Sequence, residues 1–281
     1  MKTFDWSQLD EAQKREALAR PSHRAAADVT GVVREIMEDV AKRGAAAVTD
    51  WCLKLDGAAP RYIPINDGTI KAARNDLAPA DTRAIRMAAE NIRIFHEAIK
   101  PSDSGLIETS KGVRSKLVWR AIGSAGIYVP GGTAPLFSSL LMQAIPAQVA
   151  GVKVRVAVTP PTKNGRVHPA MIIAAAEAGL DAIWAMGGAQ AIAAMTYGAE
   201  FEKGTVPRCD KLFGPGNAYV AEAKKQANAL PGGPAVDMPA GPSEVMVVVD
   251  ASADPVIAAA DLLSQAEHDT DAQVILVATS K

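Results

Sequence analysis

Gln265 and His268 stand three residues apart near the end of a helical pattern, a spacing that lets both side chains project from one helix face toward a shared ion. Imidazole is an ordinary zinc ligand, whereas a neutral carboxamide oxygen is a poor one, so this pair alone could hardly retain Zn²⁺ at a site of three or four ligands. A histidine at a helix C-terminus is equally well placed as a surface cation favoured by the helix dipole.

A second kind of chemistry is suggested by glycine-rich turns, each placed between a strand pattern and a helix pattern: Tyr128-Val129-Pro130-Gly131-Gly132, Gly187-Gly188-Ala189-Gln190 and Gly214-Pro215-Gly216-Asn217. Glycines let backbone approach a ligand, and the helix beyond presents N–H groups and a positive dipole end to phosphate. Neither GxGxxG nor a phosphate loop ending in GK and a hydroxyl residue is present, so a nucleotide site here is not of the standard kind. Each residue also has a plainer reading. Tyr128 is compatible with a core aromatic, and Gln190 and Asn217 with helix capping, a role asparagine fills well. Ser243, in AGPSE, is compatible with turn or capping chemistry. Cys209 lacks a neighbouring base and reads as a small buried apolar residue, and His23, His96 and His168 read as surface or structural groups.

These residues need elements to position them. From Ala25 to Leu55, Val29, Val32, Val33, Ile36, Val40, Ala47 and Trp51 recur at helical spacing until Asp56-Gly57, which predicts one long or interrupted amphipathic helix; a second is expected from Pro79 to Pro101. KLVWRAI and AGIYVP then read as short strands, and strand–helix alternation follows: strand 152–158, helix 169–178, strand 181–186, helix 188–197, and CDKLF before a helix NAYVAEAKKQANAL with polar Lys224, Lys225 and Gln226 along one side. SEVMVVVD and AQVILVATS flank a last helix and are apolar enough to be strands buried on both faces. The expected fold class is α/β, with Rossmann-like parallel sheets in two domains and N-terminal helices. The expected domains are 1–125 plus 235–281, discontinuous and incomplete at its C-terminal end, around an inserted unit of 126–234, with LPGGPAV as a crossing point.

The chain has 281 residues, 48% of them hydrophobic, enough for a substantial core. Thirty basic against thirty-one acidic side chains leave a net charge of −1, which supplies no global attraction to nucleic acid or an anionic membrane. No stretch reaches the roughly 18 to 20 apolar residues of a spanning helix. Two unpaired cysteines and a charged N-terminus without a signal pattern suggest a reducing compartment, and a cytoplasmic location is expected.

YVPGGTAPLFSSLLM, GGAQAIAAMTYG, KLFGPGNAYVAEAK, DMPAGPSEV and DLLSQAEHD, in this order and spacing, closely resemble the histidinol dehydrogenase family, most densely from about Val118 to Ser280. The resemblance implies an aldehyde-dehydrogenase-like architecture and NAD contacts from Tyr128, Gln190 and Asn217. It further implies substrate contacts from Ser243, Gln265 and His268, with Gln265 and His268 as zinc ligands. The implied reaction oxidises L-histidinol through L-histidinaldehyde to L-histidine with two NAD, in the final steps of histidine biosynthesis. In the family a Glu-His acid–base pair and the remaining zinc ligands, an aspartate and a histidine, follow in later sequence with no counterpart before Lys281. Glu267-His268 aligns with the metal block and is not that pair. No catalytic residue is therefore assigned, and this chain alone is expected to oxidise histidinol negligibly. A homodimer is expected, on the family's pattern and because an apolar strand such as AQVILVATS invites association. The alternative is a non-catalytic ligand-binding or interaction protein that keeps the fold.

Overall fold

The structure is a computed structural model and describes residues 3–19, 26–131, 135–162, 164–237, 244–266 and 272–279. Ser243 and His268 lie outside these residues, as do Gly132 and His23. The chain divides into two compact units, one of Ala27–Pro239 and one made of Met1–Ala26 with Ala240–Lys281.

Helix α1 is Glu11–Ala17, α2 Ala26–Arg43 and α3 Ala45–Leu55; strand β1 is Arg61–Pro64, followed by α4 Asp67–Asn75 and α5 Pro79–Ala98. A hairpin of β2 (Ile107–Ser110) and β3 (Val113–Ser115) precedes β4 (Ser124–Tyr128), α6 (Phe137–Val149), β5 (Val154–Thr159), α7 (Pro169–Glu177), β6 (Ala182–Ala185) and α8 (Gly188–Tyr197). Then come β7 (Ala199–Phe201), β8 (Gly204–Val206), β9 (Lys211–Phe213), α9 (Ala218–Ala229) and β10 (Ala235–Val236), and finally β11 (Glu244–Val249), α10 (Pro255–Ala266) and β12 (Gln273–Ala278).

The larger unit is built on a six-stranded sheet ordered β1-β6-β5-β4-β9-β10. All neighbours are parallel except β1, which closes the β6 edge antiparallel, Tyr62 opposite Trp184. Because successive strand residues point to opposite faces, Tyr128, Val156, Val158, Trp184 and Leu212 join one apolar cluster while Ile127, Val129, Ala157, Ile183 and Ala185 join another. Helices α2, α3, α8 and α9 supply the first cluster, and α4, α5, α6 and α7 the second. This is the doubly wound arrangement expected of strand–helix alternation with apolar strands. Its chain order reverses between β4 and β9.

The 26–55 region forms two helices, because Gly44 breaks them with φ +58, a left-handed conformation unfavourable for other residues. Val29, Val33, Ile36, Met37 and Val40 form the buried stripe of α2, while Val32 is exposed. His168 and Pro169 start α7, the imidazole Nδ1 accepting from Ala170 N–H at 3.2 Å, so this histidine is structural.

The expectation of a strand over KLVWRAI is corrected: residues 116–122 have no regular structure. Asp103 Oδ1 accepts from the Trp119 amide at 2.9 Å and Ser104 exchanges bonds with the Leu117 backbone, so side chains and loop backbone take the groups a partner strand would use. Beyond 239, β11 and β12 pair parallel from Glu244 opposite Gln273 to Val249 opposite Ala278, with α10 packed on them. Full burial of these strands is likewise corrected: β11 alternates exposed and half-buried residues, and Met246, Val248, Val274, Leu276 and Val277 are exposed. Among the described residues this sheet has two strands, too few to cover both faces of an apolar ribbon. Gln273 Nε2 bonds the Ala19 carbonyl at 3.2 Å, fastening the N-terminal segment to this smaller unit.

Candidate functional site at the sheet switch point

In the larger unit the residues following β4, β6 and β9 gather at the C-terminal edge of the sheet, around the position where chain order reverses, the place where open α/β sheets take ligands. Tyr128 ends β4 and is 3% exposed. Its Oη accepts from the Gly188 amide at 3.2 Å, which ties the first turn to the second. Burial, with the Asp56 charge adding to it, pushes the Tyr128 hydroxyl up to about 12 although the Gly188 bond opposes the shift. The phenol is therefore a neutral positioning group at physiological pH.

Gln190 occupies the first turn of α8 and is fully buried. It does not cap the helix. Its Nε2 and the Gly187 amide both donate to Asp56 Oδ2, each at 3.1 Å, and its Oε1 is buried without a hydrogen-bond partner among the described residues. Asn217, by contrast, is exposed and is the N-cap of α9, accepting from Val220 N–H at 3.1 Å.

The third turn is held most tightly. Gly214, at φ +111, lies so close to the end of β4 that a Cβ added there would sit 2.0 Å from the Tyr128 carbonyl oxygen and 2.8 Å from Gln143 Oε1. Asp237 Oδ2 accepts from the Gly214 amide at 2.7 Å, Lys224 Nζ donates to the Gly214 carbonyl at 2.9 Å, and Lys224 also pairs with Asp237 Oδ1. Gln143 Nε2 bridges the Ser139 and Tyr128 carbonyls at 2.9 and 3.3 Å, leaving its own Oε1 buried and without a partner among the described residues.

Tyr128 and Gln190 thus meet around Gly188, and Asn217 follows the turn that touches the Tyr128 backbone. Asp56, Gln143, Lys224 and Asp237 escaped the sequence reading as site residues. Asp56 read as a helix stop and Lys224 as part of a polar helix side, yet Lys224 is only 7% exposed. Two of them had a local signal, Lys224 as the last residue of KLFGPGNAYVAEAK and Asp237 as the first of DMPAGPSEV.

Both cysteines are buried. Burial, then the Asp210 charge, lifts the Cys209 thiol to about 12, and burial with the nearby Asp56 charge raises Cys52 still more strongly. Folding favours the protonated forms of these thiols and of Tyr128, so the stability they contribute is intact below their ordinary pKa values and is lost as pH rises from about 9 toward about 12. Two results are expected: no reaction of either thiol with a disulfide reagent at pH 8 until the chain unfolds, and a denaturation midpoint that falls over that alkaline range. Rapid thiol titration of the native chain would refute the buried placement.

Among the described residues no group of three or more His, Cys, Asp or Glu could hold a metal ion, and none of their helices is long and apolar enough to cross a membrane. Gln265 lies on α10 with its Nε2 buried and without a partner among the described residues. A lone carboxamide is not a zinc site, and no chemistry is derived through zinc from these residues.

A doubly wound parallel sheet with close-packed glycine turns at its switch point defines a Rossmann-like α/β protein. The histidinol dehydrogenase family model matches residues 19–281, and the chain belongs to that family of oxidoreductases. It is 46% identical over 280 residues to histidinol dehydrogenase of Xanthomonas euvesicatoria pv. vesicatoria and 44% identical over 281 residues to that of Campylobacter jejuni, covering 100% of this chain and 64% of each relative. A crystal structure of histidinol dehydrogenase from Elizabethkingia anophelis is 42% identical, with a TM-score of 0.87 over 97% of this chain and 61% of that one. The chain therefore spans a little under two thirds of the length of these relatives.

Proposed function

We propose that the switch-point edge of the sheet in the larger unit is the NAD site of a histidinol dehydrogenase and that the whole protein oxidises L-histidinol through L-histidinaldehyde to L-histidine with two NAD. The single observation that carries the reading is the pair of carboxamide oxygens, Gln190 Oε1 and Gln143 Oε1, buried at the C-terminal sheet edge without partners among the described residues. An unmade bond on a buried acceptor costs about 1–3 kcal/mol, and such atoms are where a ligand donor or an ordered water is expected. These polar, uncharged groups suit a nucleotide's amide and hydroxyl functions.

In this reading Asn217 meets the cofactor from the exposed rim, while Tyr128 and Gln190 form the floor. When bound, NAD supplies the hydride acceptor. The chain's own contribution is alignment: Tyr128 Oη holds the Gly188 amide, Asp56 holds Gly187 and Gln190, and the buried sheet edge excludes water. Ser243, Gln265 and His268 are proposed to contact histidinol, the last two also through Zn²⁺, and the protein is proposed to be cytoplasmic and homodimeric. The discontinuous domain assignment, with 126–234 as the inserted nucleotide unit, is part of the same proposal. Since the family's acid–base pair falls after the segment matched here, negligible histidinol oxidation is proposed for the 281-residue chain by itself.

Isothermal titration of the 281-residue chain with NAD tests the reading directly. Saturable one-site binding, weakened at least about tenfold in Asn217→Ala, is expected, since an interface polar contact is worth on the order of 1–2 kcal/mol. Absence of NAD binding at millimolar concentration would remove the nucleotide reading, and robust zinc-dependent NADH formation would remove the proposal of inactivity.

A further inference from the structure

We propose that Lys224 and Asp237 are a positioning pair that locks the Gly214 turn in the shape a nucleotide meets, a role that rests on the reading of this sheet edge as the NAD site. Strand β10 pairs with β9 in parallel, Ala235 opposite Lys211 and Val236 opposite Leu212, and the Asp237 amide continues that ladder to the Leu212 carbonyl at 3.1 Å. Asp237 is thereby carried alongside Gly214, close enough to accept the Gly214 amide at 2.7 Å. Lys224 arrives from the other direction. It lies in the second turn of α9, the helix that starts just after the glycine turn, and reaches back to the Gly214 carbonyl at 2.9 Å and to Asp237.

Both backbone polar groups of one glycine are therefore held by one cation and one anion that neutralise each other. The pair spans turn, helix and following strand, so any shift of the turn must break at least one charge-assisted bond. Lys224 is buried, its side chain 9% exposed against 29% for Asp237, and such a pair does not stabilise a fold more than apolar packing would. What it supplies that apolar side chains cannot is directional bonding to an amide and a carbonyl. The same turn leads straight to Asn217 at the α9 N-terminus, so its geometry sets where that side chain stands.

The test compares Lys224→Met, Asp237→Leu and the double variant of the full 281-residue chain, measured by thermal denaturation, NAD titration and amide hydrogen exchange. Asp237→Leu leaves the buried Lys224 ammonium without its partner and Lys224→Met leaves the half-buried Asp237 carboxylate without its own, so each is expected to lower the unfolding midpoint and weaken NAD binding. The double variant removes both charges and is expected to regain most of the midpoint. Its NAD affinity should nonetheless remain about tenfold or more below that of the unaltered chain, because small misplacements of positioning groups are costly, and amides of 213–217 should exchange faster.

A double variant that binds NAD normally, or keeps slow exchange at 213–217, overturns the proposal, since a merely structural pair would recover affinity together with stability. If the unaltered chain does not bind NAD, the nucleotide reading fails and exchange at 213–217 alone decides whether the pair positions the turn. If a leucine variant does not fold, Asp237→Asn serves, keeping one acceptor for two donors: exchange at 213–217 intermediate between native and Lys224→Met supports the lock, and native exchange refutes it.

Discussion

Replacing Gly214 with alanine is expected to lower the stability of the Ala27–Pro239 unit by about 2–6 kcal/mol, the sum of two separate penalties. The first is conformational. At φ +111 an alanine occupies backbone space that L side chains rarely adopt, with a cost on the order of 1–3 kcal/mol. The second is steric: the new methyl would lie 2.0 Å from the Tyr128 carbonyl oxygen, a backbone atom in the middle of the sheet that cannot swing aside. Relieving that overlap means separating β9 from β4, and overpacking of this kind costs roughly 1–3 kcal/mol.

The unit's thermal midpoint should fall by roughly 10 °C, taking 2–4 °C per kcal/mol for a domain of this size. Gly105→Ala is the control, since an added Cβ meets nothing within 4 Å there. Equal midpoints for the two variants in a calorimetric scan would show that the turn does not lie against β4 as described. NAD binding should be lost in Gly214→Ala, as the turn cannot keep its shape.

Asp56→Ala should cost about 2–4 kcal/mol, for a different reason: it creates no clash but orphans two buried donors, each worth roughly 1–3 kcal/mol. The Gly187 amide and Gln190 Nε2 share this one carboxylate oxygen, and Gln190 is fully buried. The negative charge also faces the first turn of α8, where the helix dipole favours an anion.

Asp56→Asn separates these contributions. It keeps a carbonyl acceptor for one donor, so about half the loss is expected from urea denaturation. In both variants the Cys52 thiol loses one of the influences that raise it, the charge of Asp56, while burial persists. Thiol reactivity should therefore increase modestly. Asp56→Ala as stable as the original chain would mean that Gln190 and the second turn find other partners and that this carboxylate does not organise the site.

The sheet's strands and helices were legible because their signals are local. Short runs rich in β-branched and apolar residues, such as VKVRVAV and the AIWA portion of DAIWAM, mark strands, and glycine turns after them mark the βα connections. An interruption of the first helix was among the expectations, but its place at Gly44 was not, nor were β1, α4 and the hairpin β2–β3. A short edge strand such as Arg61–Pro64 is defined by its partner, Ala182–Ala185, far away in sequence. KLVWRAI failed for the converse reason: its composition favours a strand, but loop bonds from Asp103 and Ser104 supplied what a partner would have.

For the site, amino-acid type and motif order by themselves determined the family and singled out Tyr128, Gln190 and Asn217. Only the tertiary structure decided how those residues are held: that Tyr128 accepts the Gly188 amide, that Gln190 leans on Asp56, and that Lys224 turns inward to Asp237. Motifs record which side chains and glycines a turn contains, and helix periodicity records which side is polar on average. Whether a charged group on that side meets water or a half-buried carboxylate depends on strand order, since β10 must return beside β9 before Asp237 can reach Gly214, and pairing over that range leaves no mark in either local sequence.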